Sequence, residues 1–142
     1  MAPAPVAAKL ARVSYRFVEH VGEVEVELEA ESEAGIFASA SAALAELVSA
    51  GTGAPASRDI ELRADDHALL LVDWLSELVF LAEVERFVPD RVDAIEVTGD
   101  CVRATVTGRH GDPRHLVKAV TLNWLMLDQY EGTWHGRVVL DV

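Results

Sequence analysis

The segment Glu23 to Ala30, "EVEVELEA", alternates without a fault. Val24, Val26, Leu28 and Ala30 point one way and four glutamates point the other, the pattern of a half-buried β-strand. The preceding "SYRFVEH" reads as a shorter strand, with a turn over His20–Gly22. In "SEAGIFASASAALAELVSAG" the period changes: Ile36, Phe37, Ala40, Ala43, Leu44, Leu47 and Val48 recur at helical spacing, with Ser32 as N-cap and Gly51 as the stop. "GTGAPAS" is a loop and "RDIELRA" a further strand. Asp65 or Asp66 caps a second helix, "HALLLVDWLSELVFLAEVERF", whose polar stripe is narrow: Asp73, Ser76, Glu77 and Glu83. Such a helix is mostly buried.

The remainder is strand-like. "DAIEVTG" and "CVRATVTGR" meet at Gly99–Asp100, a junction suited to a tight hairpin. "LVKAVTLNWLMLD" is apolar on both faces, as expected of a central strand, and "TWHGRVVLDV" forms the last one. In that last strand Trp134, Val138, Leu140 and Val142 share one face, and Thr133, His135, Arg137, Val139 and Asp141 the other. The order β-β-α-β-α-β-β-β-β predicts an α+β domain, with a mostly antiparallel or mixed β-sheet and both long helices packed on one face. Residues 14–142 are expected as this single domain and residues 1–13 as a flexible leader, because "MAPAPVAAKLARVS" lacks the apolar core of a signal peptide.

Composition narrows the function classes. The 142 residues are 51% hydrophobic, which suffices for one core. Acids interrupt the longest apolar stretch, so it does not predict a membrane span. A single cysteine, Cys101, excludes a disulfide framework and fits a reducing, cytoplasmic setting. The net charge of −12 repels phosphate backbones, so little direct nucleic-acid binding is expected. No Gly-rich phosphate loop, CxxC or HExxH is present. "SAGTG" follows a helix rather than a strand, which argues against phosphate binding. The loop "HGDPRH" carries His110 and His115, but solvated loop histidines are commoner than ligands. Read alone, Glu23 is one outward glutamate in a row, Asp73 a mark of an exposed stripe, and Asp141 a solvated residue near the last position.

Several separated motifs together resemble the archease family. "YRFVEHVGEV" is similar to its opening, a strand ending in Glu-His-Thr-Ala-Asp. "LLVDWLSELVFL" is close to its Leu-Val-Asp-Trp-Leu-Asn-Glu-Leu helix. "DPRHLVKAVT" resembles a shortened Asp-Pro…Val-Lys-Ala-Val-Thr segment, and "GTWHGRVVLDV" its Trp-x-Ala-Arg-Val-Val-Leu-Asp-Ile close. The resemblance implies an archease-like fold. It also implies a protein cofactor, not an enzyme, that promotes guanylylation and repeated turnover of an RtcB-type tRNA-splicing RNA ligase, with a tRNA methyltransferase as a further partner. It implies a divalent metal, calcium foremost with magnesium or manganese as alternatives, held by Glu23, Asp141 and Val142, with Lys118, Asp73 and His20 serving activity or partner contact. Hard oxygen donors suit those cations. Where the family has Thr-Ala-Asp this chain has Val21-Gly22-Glu23, and where it has Thr-Tyr-His this chain has Thr121-Leu122-Asn123. These changes leave a metal-free chaperone or interaction module as the alternative. A hydrolase using Glu23 and Asp141 as an acid–base pair is a third reading, for which no substrate motif is present.

Overall fold

The structure, a computed structural model, describes residues 13–142. The leader expected over residues 1–13 therefore lies, apart from Val13, outside the described residues. Seven strands run β1 (Tyr15–His20), β2 (Glu23–Ala30), β3 (Pro55–Arg63), β4 (Phe87–Thr98), β5 (Cys101–His110), β6 (Ala119–Tyr130) and β7 (Thr133–Asp141). Helix α1 (Glu33–Val48) follows β2 and helix α2 (His67–Glu83) follows β3. Among the described residues no helix is long and apolar enough to cross a membrane.

The helices begin where the sequence places their caps. The Ser32 hydroxyl accepts from the Gly35 amide at 3.0 Å. Asp66 accepts from Ala68 and Leu69 at 2.9 and 3.2 Å. Each cap satisfies amides that the first helical turn leaves without partners.

The architecture is the expected α+β one, with strands antiparallel throughout, but they divide into two sheets. The first is ordered β1-β2-β7-β6 and the second β3-β5-β4. Each helix touches both sheets: α1 packs on β1, β2 and β7 and also on β4, while α2 packs on β6 and on β3, β4 and β5. Instead of covering one face of one sheet, the helices fill the space between two. The reason lies in their circumference. Ile36, Phe37, Ala38, Ser39 and Ala45 of α1 are buried on every side of that helix, and Leu70, Leu71, Val72, Trp74 and Leu75 of α2 are buried over more than half of its circumference, so both need cover on more than one side. Burying a Leu or Phe of this core contributes about 1.5–3 kcal/mol.

A second difference concerns β6. Its two-sided apolar pattern predicts a central strand, yet β6 is an edge, and β7 occupies the interior position between β2 and β6. One face of β6 is apolar because it packs on α2. The rest of the pattern comes from residues 122–125. Thr121 pairs with Val139 and Met126 with Arg137, so four residues of β6 stand where β7 has one. This large bulge lifts off the ladder.

Candidate functional site

The outer face of the four-stranded sheet, away from the helices, gathers Glu23, Asp141 and His20. Gly22, at φ 74°, turns the chain from β1 into β2, a conformation that suits glycine. Glu23 then lies directly opposite Asp141 across the β2–β7 ladder. The Val142 amide donates to the Gly22 carbonyl at 3.0 Å, which ties the end of β7 to the turn. Because residues 22 and 142 share that bond, the neighbouring pair Glu23–Asp141 is the close, non-bonded type, with Cα atoms about 4.5 Å apart and side chains on one face. On its other side Asp141 is opposite Ala119, and its carbonyl accepts from the Lys118 amide at 2.7 Å.

Val142 contributes in two directions. Its side chain lines an apolar cavity of about 280 Å³ with Val24, Leu47, His115, Leu116 and Val117. Its amide, bonded to the Gly22 carbonyl, holds the end of β7 beside the turn. Two carboxylates facing each other across a ladder repel. A cation between them converts that cost into coordination, and carboxylate oxygens match calcium, magnesium or manganese. Among the described residues no group of three or more His, Cys, Asp or Glu side chains is arranged to hold a metal. Glu23 and Asp141 are the two carboxylate side chains that the register brings together at this end of the sheet.

Three neighbours were not legible as site residues. Glu25, two positions along from Glu23 on the same face, is only 7% exposed, and its Oε1 lies 3.2 Å from Nε2 of His20. Val139, opposite Glu25, is 1% exposed although its face carries no helix. The β6 bulge accounts for both. Trp124, at its crest, sets its ring edge-on to His20 with centroids 6.0 Å apart. Its carbonyl accepts from Nε of Arg137 at 2.8 Å. The bulge thus folds back across β7 and β2 toward β1. His20 lies on this face in contact with both Glu25 and Trp124. Glu25 hides in a row of four equivalent glutamates, and no periodicity separates it from them. For Trp124 the signal was present but faint: Asn123 interrupts an otherwise apolar run.

Lys118 meets the site through its backbone, and its exposed ammonium makes no ion pair among the described residues. Asp73 lies on the exposed side of α2 and is not among the groups that meet at these strand ends. Cys101 is buried and free.

A separate cluster lies at the helix N-termini. His67 Nδ1 is 2.7 Å from Glu33 Oε2, and Nε2 is 3.4 Å from Asp100 Oδ1. The Glu33 hydrogen bond raises the His67 pKa above its ordinary value, helped by the Glu33 charge, Asp100 and the Gly99 carbonyl, against a smaller opposing effect of burial. His67 so links the starts of both helices to the β4–β5 turn.

Comparison with known proteins adds the following. The Archease protein family (MTH1598/TM1083) matches residues 15–142. Protein archease of Methanosarcina barkeri is 30% identical over 139 residues, covering 90% of this chain and 95% of that protein. The Methanosarcina mazei protein of the same name is 28% identical with the same coverage. Among solved structures, Methanobacterium thermoautotrophicum protein 1598 superposes with a TM-score of 0.67 at 23% identity, covering 90% of this chain and 98% of that one. An archease from Thermotoga maritima, described as a possible chaperone, gives 0.69 at 16% identity, covering 88% and 94%. These two share the fold.

Proposed function

The chain belongs to the archease family, and from that membership we infer that it is a non-catalytic, metal-binding protein cofactor that promotes guanylylation and turnover of an RtcB-type RNA ligase. The observation that supports this reading most is the register that sets Glu23 opposite Asp141, with Val142 tied to Gly22 beside them. A doubly charged cation would be held between these carboxylates, and Lys118, exposed and bonded through its backbone to Asp141, would meet the partner or its nucleotide. The residues that bind the ion would also hold the end of β7 in place, so occupancy and the shape of this face are coupled. A second partner of the same kind is a tRNA methyltransferase.

The test is reconstitution. The pure protein is mixed with its cognate ligase, GTP and Mn²⁺, and ligase guanylylation and product per ligase are followed. A rise in both that Asp141→Ala abolishes is the expected result. No change on adding wild-type protein would sink the assignment.

A metal-free chaperone or interaction module is the second reading. It is favoured by the side-chain count, two carboxylates where a dedicated metal cluster offers three or more. Calorimetric titration with Ca²⁺, Mg²⁺ and Mn²⁺ separates the two readings. Heat that disappears in Asp141→Ala supports the first, and silence the second.

A further inference from the structure

We propose that Trp124, with Leu122 beside it on the β6 bulge, is the anchor on which a basic protein surface docks against the outer face of the four-stranded sheet. The proposal rests on the ligase reading above and names the surface through which that partner is met. Trp124 is 63% exposed and Leu122 61%. Val21, on the turn just after His20, is fully exposed. Scattered exposed apolar residues are ordinary on a protein surface, but the backbone here is not. Trp124 has φ 56°, in the left-handed region that a bulky side chain adopts only at a cost. The conformation is fixed from two sides, by Arg137 on the Trp124 carbonyl and His20 on the ring. Strain of this kind persists where surroundings impose it, and it gathers at functional sites. What is imposed is the presentation of an indole to solvent in one position. Such a group loses little freedom on binding, which is the character of a hot-spot residue.

Charge selects the occupant. The ladder registers place Glu23, Glu25, Glu27, Glu29, Asp128 and Asp141 on this face, against Arg16 and Arg137. Arg16 is paired with Glu27, and Arg137 keeps its charge while donating to the Trp124 carbonyl, so six carboxylates stand against two guanidiniums. The face is therefore negative, in a chain of net charge −12. It repels a nucleic acid and a second copy of itself. It attracts a protein surface that offers Lys or Arg side chains around an apolar pocket deep enough for an indole.

The cognate ligase, immobilised, is the probe, and binding is read by surface plasmon resonance at low and high salt. Trp124→Gly is the informative variant, because glycine accepts the left-handed backbone and keeps the Arg137 bond to the carbonyl of residue 124. Leu122→Ser, at an exposed position, is a second variant that does not disturb the core. Trp124→Gly is expected to weaken binding at least about 30-fold with an unchanged melting temperature, and Leu122→Ser to weaken it less. Wild-type binding is expected to fall as salt rises. Wild-type affinity in Trp124→Gly would overturn the anchor while leaving the ligase reading intact. Absence of wild-type binding would overturn both. Binding that depends on Trp124 but ignores salt, or that is transferred to a single-stranded RNA oligonucleotide, would overturn the basic protein surface as occupant.

Discussion

The indole nitrogen of Trp74 in α2 donates to the Ser41 hydroxyl in α1 at 2.8 Å, inside the core. The same nitrogen reaches the Phe37 carbonyl at 3.1 Å, and Ser41 donates to that carbonyl at 3.0 Å. Three polar groups of two helices thus close on one another in the buried core. Trp74 belongs to the helix motif that carries the family resemblance, and its part is to join the helices.

Ser41→Ala is expected to cost about 1 kcal/mol, because Trp74 keeps the Phe37 carbonyl as acceptor. Trp74→Phe removes the donor and part of a fully buried side chain, for an expected loss of about 2–4 kcal/mol. Urea unfolding of the two variants and of the double variant checks this, and the losses should fall short of additive because the groups share one network.

Glu23→Gln and Asp141→Asn each remove one of two facing carboxylates. In EDTA either variant is expected to gain about 0.2–1 kcal/mol, since like charges directly opposite on a ladder destabilise it. Calcium should raise the melting temperature of the wild type and leave both variants unmoved. If calcium, magnesium and manganese all leave the wild type unmoved, the cation assignment is wrong.

His67 makes stability depend on pH. Its pKa in the folded protein lies above its ordinary 6.5 through Glu33 and Asp100. The bound proton is held more tightly folded than unfolded, so the stabilisation is complete below the unfolded value and is lost as pH rises through the folded one. Denaturation of wild type and His67→Gln across pH 5–9 should show a difference that is largest at the acid end and shrinks toward the alkaline end.

Gly108 in β5 is a steric requirement. A Cβ there would stand 2.3 Å from the Val88 carbonyl oxygen and 2.9 Å from the Phe87 ring. Backbone cannot swing aside as a flexible side chain can, so Gly108→Ala should destabilise by about 1–3 kcal/mol, or by more if β4 cannot shift. Thermal melting checks this, with Gly99→Asn as a control at a position where a Cβ meets nothing within 4 Å.

Local elements were largely legible. Strict alternation marked β2, the period-three-and-four pattern with Ser32 and Asp66 marked both helices, and Gly99–Asp100 marked the hairpin turn. What the chain did not disclose was lateral order. An apolar run says that a strand is covered, and β6 is covered by α2 and by its own bulge while sitting at an edge. The strand read from "DAIEVTG" in fact starts earlier, at Phe87, and takes in Pro89. It tolerates the proline because it too is an edge, with register shifts between Pro89 and Arg91 and between Val92 and Ala94. In the site, the meeting of Glu23 with Asp141 was anticipated from the family motifs, and the register places them side by side. Glu25 and Trp124 entered it through a fold-back that four extra residues make and no periodic pattern encodes.

The interior place of β7 has a consequence for synthesis. Among the described residues, sheet order makes it the strand that links the β1–β2 hairpin to β6. A nascent chain on the ribosome can assemble the three-stranded sheet early, while β1, β2 and the inner sides of both helices wait for Thr133–Asp141 to emerge. Until then the helices keep apolar surface uncovered, so a chain stalled before β7 would be an aggregation-prone species with one sheet built and the other unjoined.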